Sequence, residues 1–508
     1  FTFYGQTGSD TLNAYDSSDT VANTGQLTAI NLTGLGMGTN SWLSVHIAMD
    51  ALLTVPAGTT PCTQNNSCDA AIYYGTRNAA DVISSDVEFV NVYLGSGNDT
   101  LRVDSAYPQG QTRVHGGVGD DRFEIEATPY GLHPNSLRRV DNVAGSLFVY
   151  GEGGSDYVIV NDSGDSVANI GYFEGATVSG LGMGGSITFD TAEKLEISLG
   201  EQNDTFYLRS APAGMETRLK MNGGFDKVFV GSGTNKLDDI LGTLVIEGGL
   251  PFSKDELYVF DSGNTGNRPY TITNDPNAII LTVDDPYHPG QTIQLNLDET
   301  TISISNGGTI KYQTFETVAL NAGSGSDTLN LQAPHNDRDP LGGFNATFTF
   351  NGGAGDDIIN VGTGSSLDSI DIFAMFNGQS GNDSVFFDHT SSVVANTLAF
   401  VGKTFTELFS AGTAEWAALF SGIFNENESV TRAALYTAVA LGYVASTTTR
   451  VMNIGANMRD VENISFSLGS GDDVFKLGNG TYREAITVNG GGGADTFNIS
   501  NVVTTQQM

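Results

Sequence analysis

The sequence is poor in basic residues. It contains 22 Lys and Arg against 58 Asp and Glu, which gives a formal net charge of −36 at pH 7. So acidic a chain repels nucleic acid and anionic membrane surfaces, and we expect neither as a partner. No apolar run approaches the length that spans a bilayer, so we expect no membrane insertion. Cations are the natural counter-charge.

Cysteine is almost absent. The two that occur, Cys62 and Cys68, lie in TPCTQNNSCD, without a His or a second Cys pair to complete a zinc site. A local disulfide is the favoured interpretation, and two unpaired thiols are the alternative. A disulfide would indicate an extracellular or cell-surface location. The first residue is Phe1 with no signal peptide before it, so we expect a processed product or a segment of a longer chain.

Catalytic signatures are scarce too. The six histidines are scattered without metal-ligand spacing, and neither a nucleophile elbow nor a phosphate loop is present. Polysaccharide lyases and hydrolases built on β-helices use grouped carboxylates with Lys or Arg on one face. The acids of this chain are instead spread along it, and we therefore expect a non-enzymatic protein, with such a lyase or hydrolase as an alternative.

Glycine, in contrast, is abundant, and its 64 residues mark a repeated block. The phrase LGSGNDTLRV, which ends at Val103, returns as LGEQNDTFYL, AGSGSDTLNL and LGSGDDVFKL. In each copy a Gly-rich turn and an Asp precede a strand of alternating apolar residues. Glycine permits backbone angles closed to other residues, while Asp can bond to nearby amides or face a cation.

Three kinds of Gly-Asp turn follow one another in a fixed order. The first kind begins as GQTGSDTL at Gly5 and returns at Gly151, at Gly378 and, degraded, at Gly248. The second kind is the LGSGNDTLRV phrase, and the third is VHGGVGDDRFEI with its three copies. This order predicts four units, at residues 1–146, 147–246, 247–375 and 376–508.

The spacing of the turns predicts the fold. Second-kind and third-kind aspartates are 22 residues apart in three units: Asp99 and Asp121, Asp204 and Asp226, Asp473 and Asp495. This spacing suits one coil of a β-solenoid. We therefore predict an all-β protein, a right-handed parallel β-solenoid (β-helix or β-roll-like) with irregular inserts. In the fourth unit, apolar residues at helical spacing after the TFTE capping box predict one helical hairpin near 404–445.

The turns resemble the GGxGxDxUx nonapeptide of RTX-type, haemolysin-type calcium-binding proteins, best at GGVGDDRFEI, GGAGDDIINV, GSGNDTLRV and GSGDDVFKL. The whole unit is similar to large repetitive extracellular surface proteins with scattered repeats of this kind. In that family, turn carbonyls and Asp carboxylates ligate calcium, so the resemblance implies calcium as the cofactor. Here the motifs are isolated once per longer coil instead of contiguous, and for each Asp a metal-free Asx-turn is the alternative. The ligands carried over by motif position are Asp99, Asp121, Asp156, Asp204, Asp226, Asp327, Asp357, Asp383, Asp473 and Asp495.

The order of the turns also suggests a partner. The chain opens in a first-kind turn and stops after a third-kind turn, so a second copy could continue the stack head to tail into a filament or surface layer. A segment cut from a larger protein, such as a carbohydrate-binding adhesin, is the alternative. Glycans are a further possible partner or modification, and the candidate glycosylation sites are Asn31, Asn65, Asn345 and Asn427.

Overall fold

The computed structural model is all-β in the residues it describes. These are residues 9–16, 20–27, 31–35, 44–48, 71–73, 75–77, 83–85, 87–126, 138–249, 254–284, 292–305, 307–332, 347–362, 364, 367, 370, 372–393, 397–401, 404–407 and 454–504. In this part of the chain no helix has the length and apolar character needed to cross a membrane.

The first half of the chain contributes nineteen of the strands that are described. They are β1 (Thr11–Tyr15), β2 (Thr24–Leu27), β3 (Asn31–Gly34), β4 (Ser44–Ala48), β5 (Ala71–Tyr73), β6 (Gly75–Arg77), β7 (Ile83–Ser85), β8 (Phe89–Tyr93), β9 (Thr100–Val103), β10 (Gln111–Val118), β11 (Arg122–Ile125), β12 (Ser146–Gly153), β13 (Tyr157–Asn161), β14 (Ile170–Glu174), β15 (Thr177–Gly180), β16 (Ser186–Asp190), β17 (Lys194–Ser198), β18 (Thr205–Leu208) and β19 (Glu216–Lys220).

The second half contributes the other nineteen. They are β20 (Lys227–Val230), β21 (Thr243–Glu247), β22 (Glu256–Phe260), β23 (Pro269–Asp284), β24 (Thr292–Ile304), β25 (Thr309–Gln313), β26 (Thr317–Asn321), β27 (Thr328–Leu331), β28 (Thr347–Ala354), β29 (Ile358–Val361), β30 (Ile372–Ser380), β31 (Ser384–Asp388), β32 (Thr397–Val401), β33 (Thr404–Glu407), β34 (Ile454–Arg459), β35 (Asn463–Ser467), β36 (Val474–Tyr482), β37 (Ala485–Asn489) and β38 (Thr496–Thr504).

The chain divides into two compact units, Phe1–Asp226 with Leu241–Val245, and Lys227–Ile240 with Ile246–Met508. In the first unit one sheet has the order β4-β1-β8-β10-β12-β16-β15-β14-β18, and it is parallel except at the β4-β1, β16-β15 and β15-β14 pairs. The other sheet has the order β5-β3-β2-β9-β11-β13-β17-β19, and it is antiparallel only at β5-β3 and β3-β2. Strands β6 and β7 form a separate antiparallel pair.

The second unit repeats this plan. One sheet runs β20-β22-β26-β28-β30-β34-β33-β32-β36-β38, with antiparallel pairs only at β34-β33 and β33-β32. The other runs β25-β24-β23-β27-β29-β31-β35-β37, with antiparallel pairs only at β25-β24 and β24-β23. Apart from the antiparallel β4-β1 pair, each of these four strand orders thus contains one run of three antiparallel strands in an otherwise parallel array. The all-β, mostly parallel architecture predicted from the sequence is confirmed.

The helical hairpin predicted near 404–445 is not supported. Residues Thr404–Glu407, which were interpreted as its capping box, form strand β33. This strand pairs antiparallel with β32, with Val401 opposite Thr404, and it also pairs antiparallel with β34. Ladder partners on both sides outweigh a local capping signal, because they satisfy the backbone of the whole segment. The rest of the predicted hairpin lies outside the described residues.

The core is built from apolar residues in register on neighbouring parallel strands. Leu101, Phe123, Val158 and Leu195 lie side by side on β9, β11, β13 and β17. Each is at most 1% exposed. Because side chains alternate between the two faces of a strand, the residues that alternate with these buried ones lie on the outer face of the sheet. The alternation in the sequence therefore reports directly which residues are buried.

Two matching segments of the sequence form the same sharp turn. Leu35 and Leu181 both have a left-handed backbone, with φ of 54° and 53°, and the N–H of each donates to a carbonyl oxygen across the hairpin, of Thr24 and of Ile170. Both leucine side chains are at most 2% exposed. A Cβ on Gly171 would lie 2.7 Å from Leu181 Cδ2 and would overlap the buried ring of Phe206. A glycine is therefore required where the leucine folds back.

Replacing this glycine tests the packing. We expect Gly171→Ala to reduce the free energy of unfolding by about 1–3 kcal/mol, because the fully buried Phe206 ring leaves no room for a methyl group. Gly184→Ala is the matched control, since its Cβ would meet its nearest neighbour at an ordinary 3.4 Å. Urea denaturation of both variants measures the difference, and equal stabilities would contradict the packing described here.

Candidate functional site

The predicted turn aspartates form columns in which each carboxylate accepts a backbone N–H from the neighbouring strand. In the first unit Asp99 Oδ1 accepts the N–H of Asn23 at 2.7 Å. Asp121 Oδ1 accepts the N–H of Asp99, and Asp156 Oδ1 that of Asp121, both at 2.8 Å. These three aspartates are at most 2% exposed. We call such a series a carboxylate column.

The same bond recurs in both units. In the first, the N–H of Asn169 donates to Asp204 Oδ1, and that of Asp204 to Asp226 Oδ1. In the second, the column runs from the N–H of Arg268 through Asp327 and Asp357 to Asp383, over distances of 2.7 to 2.8 Å. Asp473 donates its N–H to Asp495 Oδ1 at 3.0 Å. The structure therefore places all ten aspartates singled out from the sequence in carboxylate columns.

A glutamate completes the column at four places, and sequence reasoning missed it. The carboxylates of Glu88, Glu193, Glu316 and Glu462 accept the N–H groups of the first-kind aspartates Asp10, Asp156, Asp255 and Asp383. In return, the N–H of each glutamate donates to the carbonyl oxygen of the same aspartate. A short pattern in the sequence could have identified these glutamates. Each follows an apolar residue directly before the strand that leads into a second-kind turn, in VEFV, AEKL, FETV and VENI.

The residue before the motif aspartate makes the reverse bond in six of the turns. Asp120 Oδ1 accepts the N–H of Ser155 on the following strand, whereas Asp121 accepts from the preceding one. Asn98 and Asp356 act in the same way, towards the N–H groups of Asp120 and Asn382. Two adjacent acceptors therefore link each turn to its neighbours in both directions, which accounts for the Asn, Asp or Ser that usually precedes the motif aspartate.

The second carboxylate oxygen depends on the kind of turn. In three second-kind turns it accepts a glycine N–H, as from Gly95 to Asp99 Oδ2 and from Gly323 to Asp327 Oδ2, both at 3.1 Å. In first-kind and third-kind turns, Oδ2 of Asp121, Asp156, Asp357 and Asp383 is buried without a hydrogen-bond partner. A Cβ on the glycine five positions earlier would overlap each of these oxygens. The repeated glycine therefore makes room for the carboxylate.

Burial shifts the ionisation of these carboxylates. It raises the pKa of Asp121 to about 6 and that of Asp357 to about 7. The N–H bond from the neighbouring strand opposes this shift, while the charges of adjacent column aspartates add to it. Burial also raises the pKa of Asp156, Asp204, Asp327 and Asp383. The columns thus hold carboxyl groups for which the neutral form is favoured more than in water.

Among the described residues, no three side-chain ligand atoms of Asp, Glu, His or Cys converge within the columns. Their oxygens face backbone N–H groups or lie against glycine, and hard-cation sites need several oxygens converging on one point. In the described part of the chain, the acidic residues that converge in a group of three are Asp141, Asp162 and Asp165, whose carboxylate oxygens lie within 4.8 Å of one another. Calcium at the turn aspartates stays a prediction.

Several predicted sites fall elsewhere. Cys62, Cys68, Asn65, Asn345 and Asn427 lie outside the described residues. Asn31 begins strand β3 and faces Tyr73 of β5 across the antiparallel pair. The disulfide and the glycans therefore remain predictions.

Stacked aromatic side chains form a separate ladder on the first unit. The rings of Tyr15, Tyr93, His115 and Tyr150 follow one another with centroids 4.6–4.7 Å apart and interplanar angles of 10–13°. Because the faces contact one another, the inner rings present only edges outward. The ladder therefore packs aromatic rings in register on four neighbouring strands.

Neither the models of known protein families nor the curated proteins contain a match to this chain.

Removing one column carboxylate tests its role. We expect Asp357→Ala to lower the free energy of unfolding by about 1–3 kcal/mol, because the buried N–H of Asp327 loses its acceptor. Asp357→Asn should cost less, since an amide oxygen can replace Oδ1. Asp239→Ala is the control, at an exposed aspartate. Guanidinium denaturation compares the three, and a loss for Asp357→Ala no larger than for the control would contradict the acceptor role.

The raised pKa values predict that acid stabilises the protein. The folded state holds protons on Asp121 and Asp357 up to about pH 6 and 7, whereas unfolded Asp releases them near pH 4. Their contribution to the free energy of unfolding is therefore fully present below about pH 4 and is lost as the pH rises through 6 to 7. This contribution is roughly 1–3 kcal/mol per group. The melting temperature should fall between pH 5 and pH 8. Asp357→Asn should make this dependence on pH weaker, whereas Asp239→Asn should leave it unchanged. A slope unchanged by Asp357→Asn would refute this assignment.

Proposed function

We propose that this chain is a right-handed parallel β-solenoid that stacks end to end with further copies of itself, as a non-enzymatic structural component of an extracellular surface or filament. Parallel strands joined by crossovers are right-handed in nearly all proteins, which supports the hand. The resemblance to RTX-like surface proteins supports the location. End-to-end stacking rests on the last described strands.

The observation that carries the proposal is that core-type side chains of β38 are exposed in the described part of the chain. Phe497 and Ile499 are 48% and 69% exposed. The residues at the same motif positions in the other third-kind strands, such as Phe123 and Ile125 of β11, are fully buried. In the described residues, β38 pairs only with β36, and β37 only with β35. An open parallel edge with core-type side chains is a template for a further strand.

The hydrogen-bonding groups of the two ends are complementary. Third-kind aspartates donate their N–H to a first-kind aspartate, as Asp121 does to Asp156 and Asp357 to Asp383. Among the described residues, the N–H of Asp495 has no such acceptor, and the carboxylate of Asp10 receives no such donor, its Oδ2 being buried and unpaired. The carboxylate of Asp10 in one copy fits the N–H of Asp495 in another.

Strand β4 lies in the way of this contact. The strands equivalent to β1, which are β13 and β31, each pair on one edge with a third-kind strand, β11 and β29 respectively. On β1 the same edge is occupied by β4, which pairs with it antiparallel. Stacking therefore requires β4 to leave β1, which makes β4 a guard against uncontrolled growth. This guard predicts that association is weak until β4 is displaced.

Two variants test the proposal by sedimentation velocity over a range of protein concentrations. Ile47→Pro removes a backbone donor and strains β4, and we expect it to increase association. Adding Phe497→Asp should abolish that association, because a charge would enter the contact. Val393→Asp is the control, at an apolar residue that is 77% exposed. Monomers at every concentration for the unmodified chain and for Ile47→Pro would overturn the proposal.

A further inference from the structure

A corner of the fold recurs in both units with different charges. In the first unit, Asp162 Oδ1 accepts the N–H of Val140 at 3.1 Å. In the second, Asp261 Oδ1 accepts the N–H of Leu237 at 3.0 Å. Each acceptor lies seven residues before a residue whose N–H enters a carboxylate column, Asn169 and Arg268 respectively. The two corners are therefore equivalent, and residues can be compared position by position.

The corner of the second unit contains its own cation. The guanidinium of Arg268 contacts Asp238 Oδ1 through Nη2 and Asp261 Oδ2 through Nη1, the latter at 3.1 Å. The hydroxyl of Tyr270 also donates to Asp261 Oδ2, at 2.7 Å. The side chain of Arg268 is only 15% exposed. The buried carboxylate is thus compensated by a charge from the chain.

The corner of the first unit keeps the acids and lacks this cation. Asn169 stands in the place of Arg268, Gly171 in that of Tyr270, and Asp165 in that of Asn264. One positive charge and one hydroxyl donor are lost and one negative charge is gained. The oxygens of Asp141, Asp162 and Asp165 nevertheless remain within 4.8 Å of one another. Three carboxylates at this separation repel strongly unless a cation lies between them.

A buried oxygen is available in this corner. Asp162 is 1% exposed, and among the described residues the N–H of Val140 is the single donor to its carboxylate. Asp165 accepts the N–H groups of Ser166 and Val167 through Oδ1, which fixes its orientation.

The nearest basic side chain does not replace Arg268. Arg139 Nη1 is 3.8 Å from Asp165 Oδ1. Its Nε donates to the carbonyl oxygen of Gly164 at 3.0 Å, and its Nη2 to Ser166 Oγ at 3.2 Å. The guanidinium is therefore bonded to Gly164 and Ser166, and its charge acts on Asp165 and Asp141 without the direct contact that Arg268 makes with Asp261.

We propose that Asp141, Asp162 and Asp165 bind one divalent cation of the calcium type, which takes the place that the Arg268 guanidinium holds in the equivalent corner. Carboxylate oxygens are the ligands that hard divalent cations prefer, and water or backbone carbonyls can complete the coordination. This site is separate from the glycine-turn aspartates and independent of end-to-end stacking.

Calcium titration of the whole purified chain, followed by calorimetry, tests the site. We expect saturable binding, and Asp141→Asn should remove one bound ion per chain or weaken its affinity roughly tenfold or more. Asp141 is exposed and accepts no hydrogen bond in the described residues, so its replacement should leave the fold intact. Asp239→Asn is the matched control and should bind like the unmodified chain. Unchanged binding by Asp141→Asn, or no saturable binding by the unmodified chain, would overturn the proposal.

A second variant separates this site from the turns. Asn169→Arg introduces the cation found in the second unit, so it should abolish the same binding event and make the melting temperature insensitive to calcium and to a chelator. Asp121→Asn changes a column carboxylate and should leave the event intact. Loss of the event in Asp121→Asn but not in Asn169→Arg would assign calcium to the turns and refute this site.

Discussion

The hydrogen bond from a backbone N–H to the aspartate of the neighbouring strand is the interaction on which both units depend. A parallel ladder starts only after the turn, so the N–H of the last turn residue would be buried without a partner. An orphaned buried amide costs about as much as the net gain from one or two hydrogen bonds. An aspartate on the next strand removes that cost, and the same geometry can be repeated at every strand. The glycine five positions earlier follows from it, because the carboxylate occupies the space of a Cβ.

Much of this arrangement was readable from the sequence, since the interacting residues recur at short, regular distances. Asp99 and Asp121 are 22 positions apart, and so are Asp473 and Asp495. The glutamates were not found because insertions separate them from their partners by variable lengths, 37 residues for Asp156 and Glu193 and 79 for Asp383 and Glu462. The direction of the bonds was equally hidden, because an Asx-turn, a metal ligand and a cross-strand acceptor demand the same residue.

The error at Thr404–Glu407 has a related cause. The sequence TFTE satisfies a capping box, yet it also alternates between polar and apolar residues as a strand does. A capping box reports only on four residues, whereas the pairing of β33 with both β32 and β34 depends on residues as far apart in the chain as Thr404 and Asn457. The other three antiparallel insertions occupy the equivalent place in their sheets, so the fourth follows the architecture and not the local signal.

The scarcity of Lys and Arg follows from the same principle. With 22 basic residues for 58 acidic ones, ion pairs cannot compensate most carboxylates. In the columns, backbone N–H groups supply partial positive charge to the carboxylates, so no basic side chain is needed there. Each strand contributes one such donor to the column. Backbone N–H groups are too few where several carboxylates lie close together. At the Asp261 corner the guanidinium of Arg268 supplies the missing positive charge. The Asp162 corner has more negative charge and Asn169 in the place of Arg268, and this difference is the basis for proposing a bound cation there.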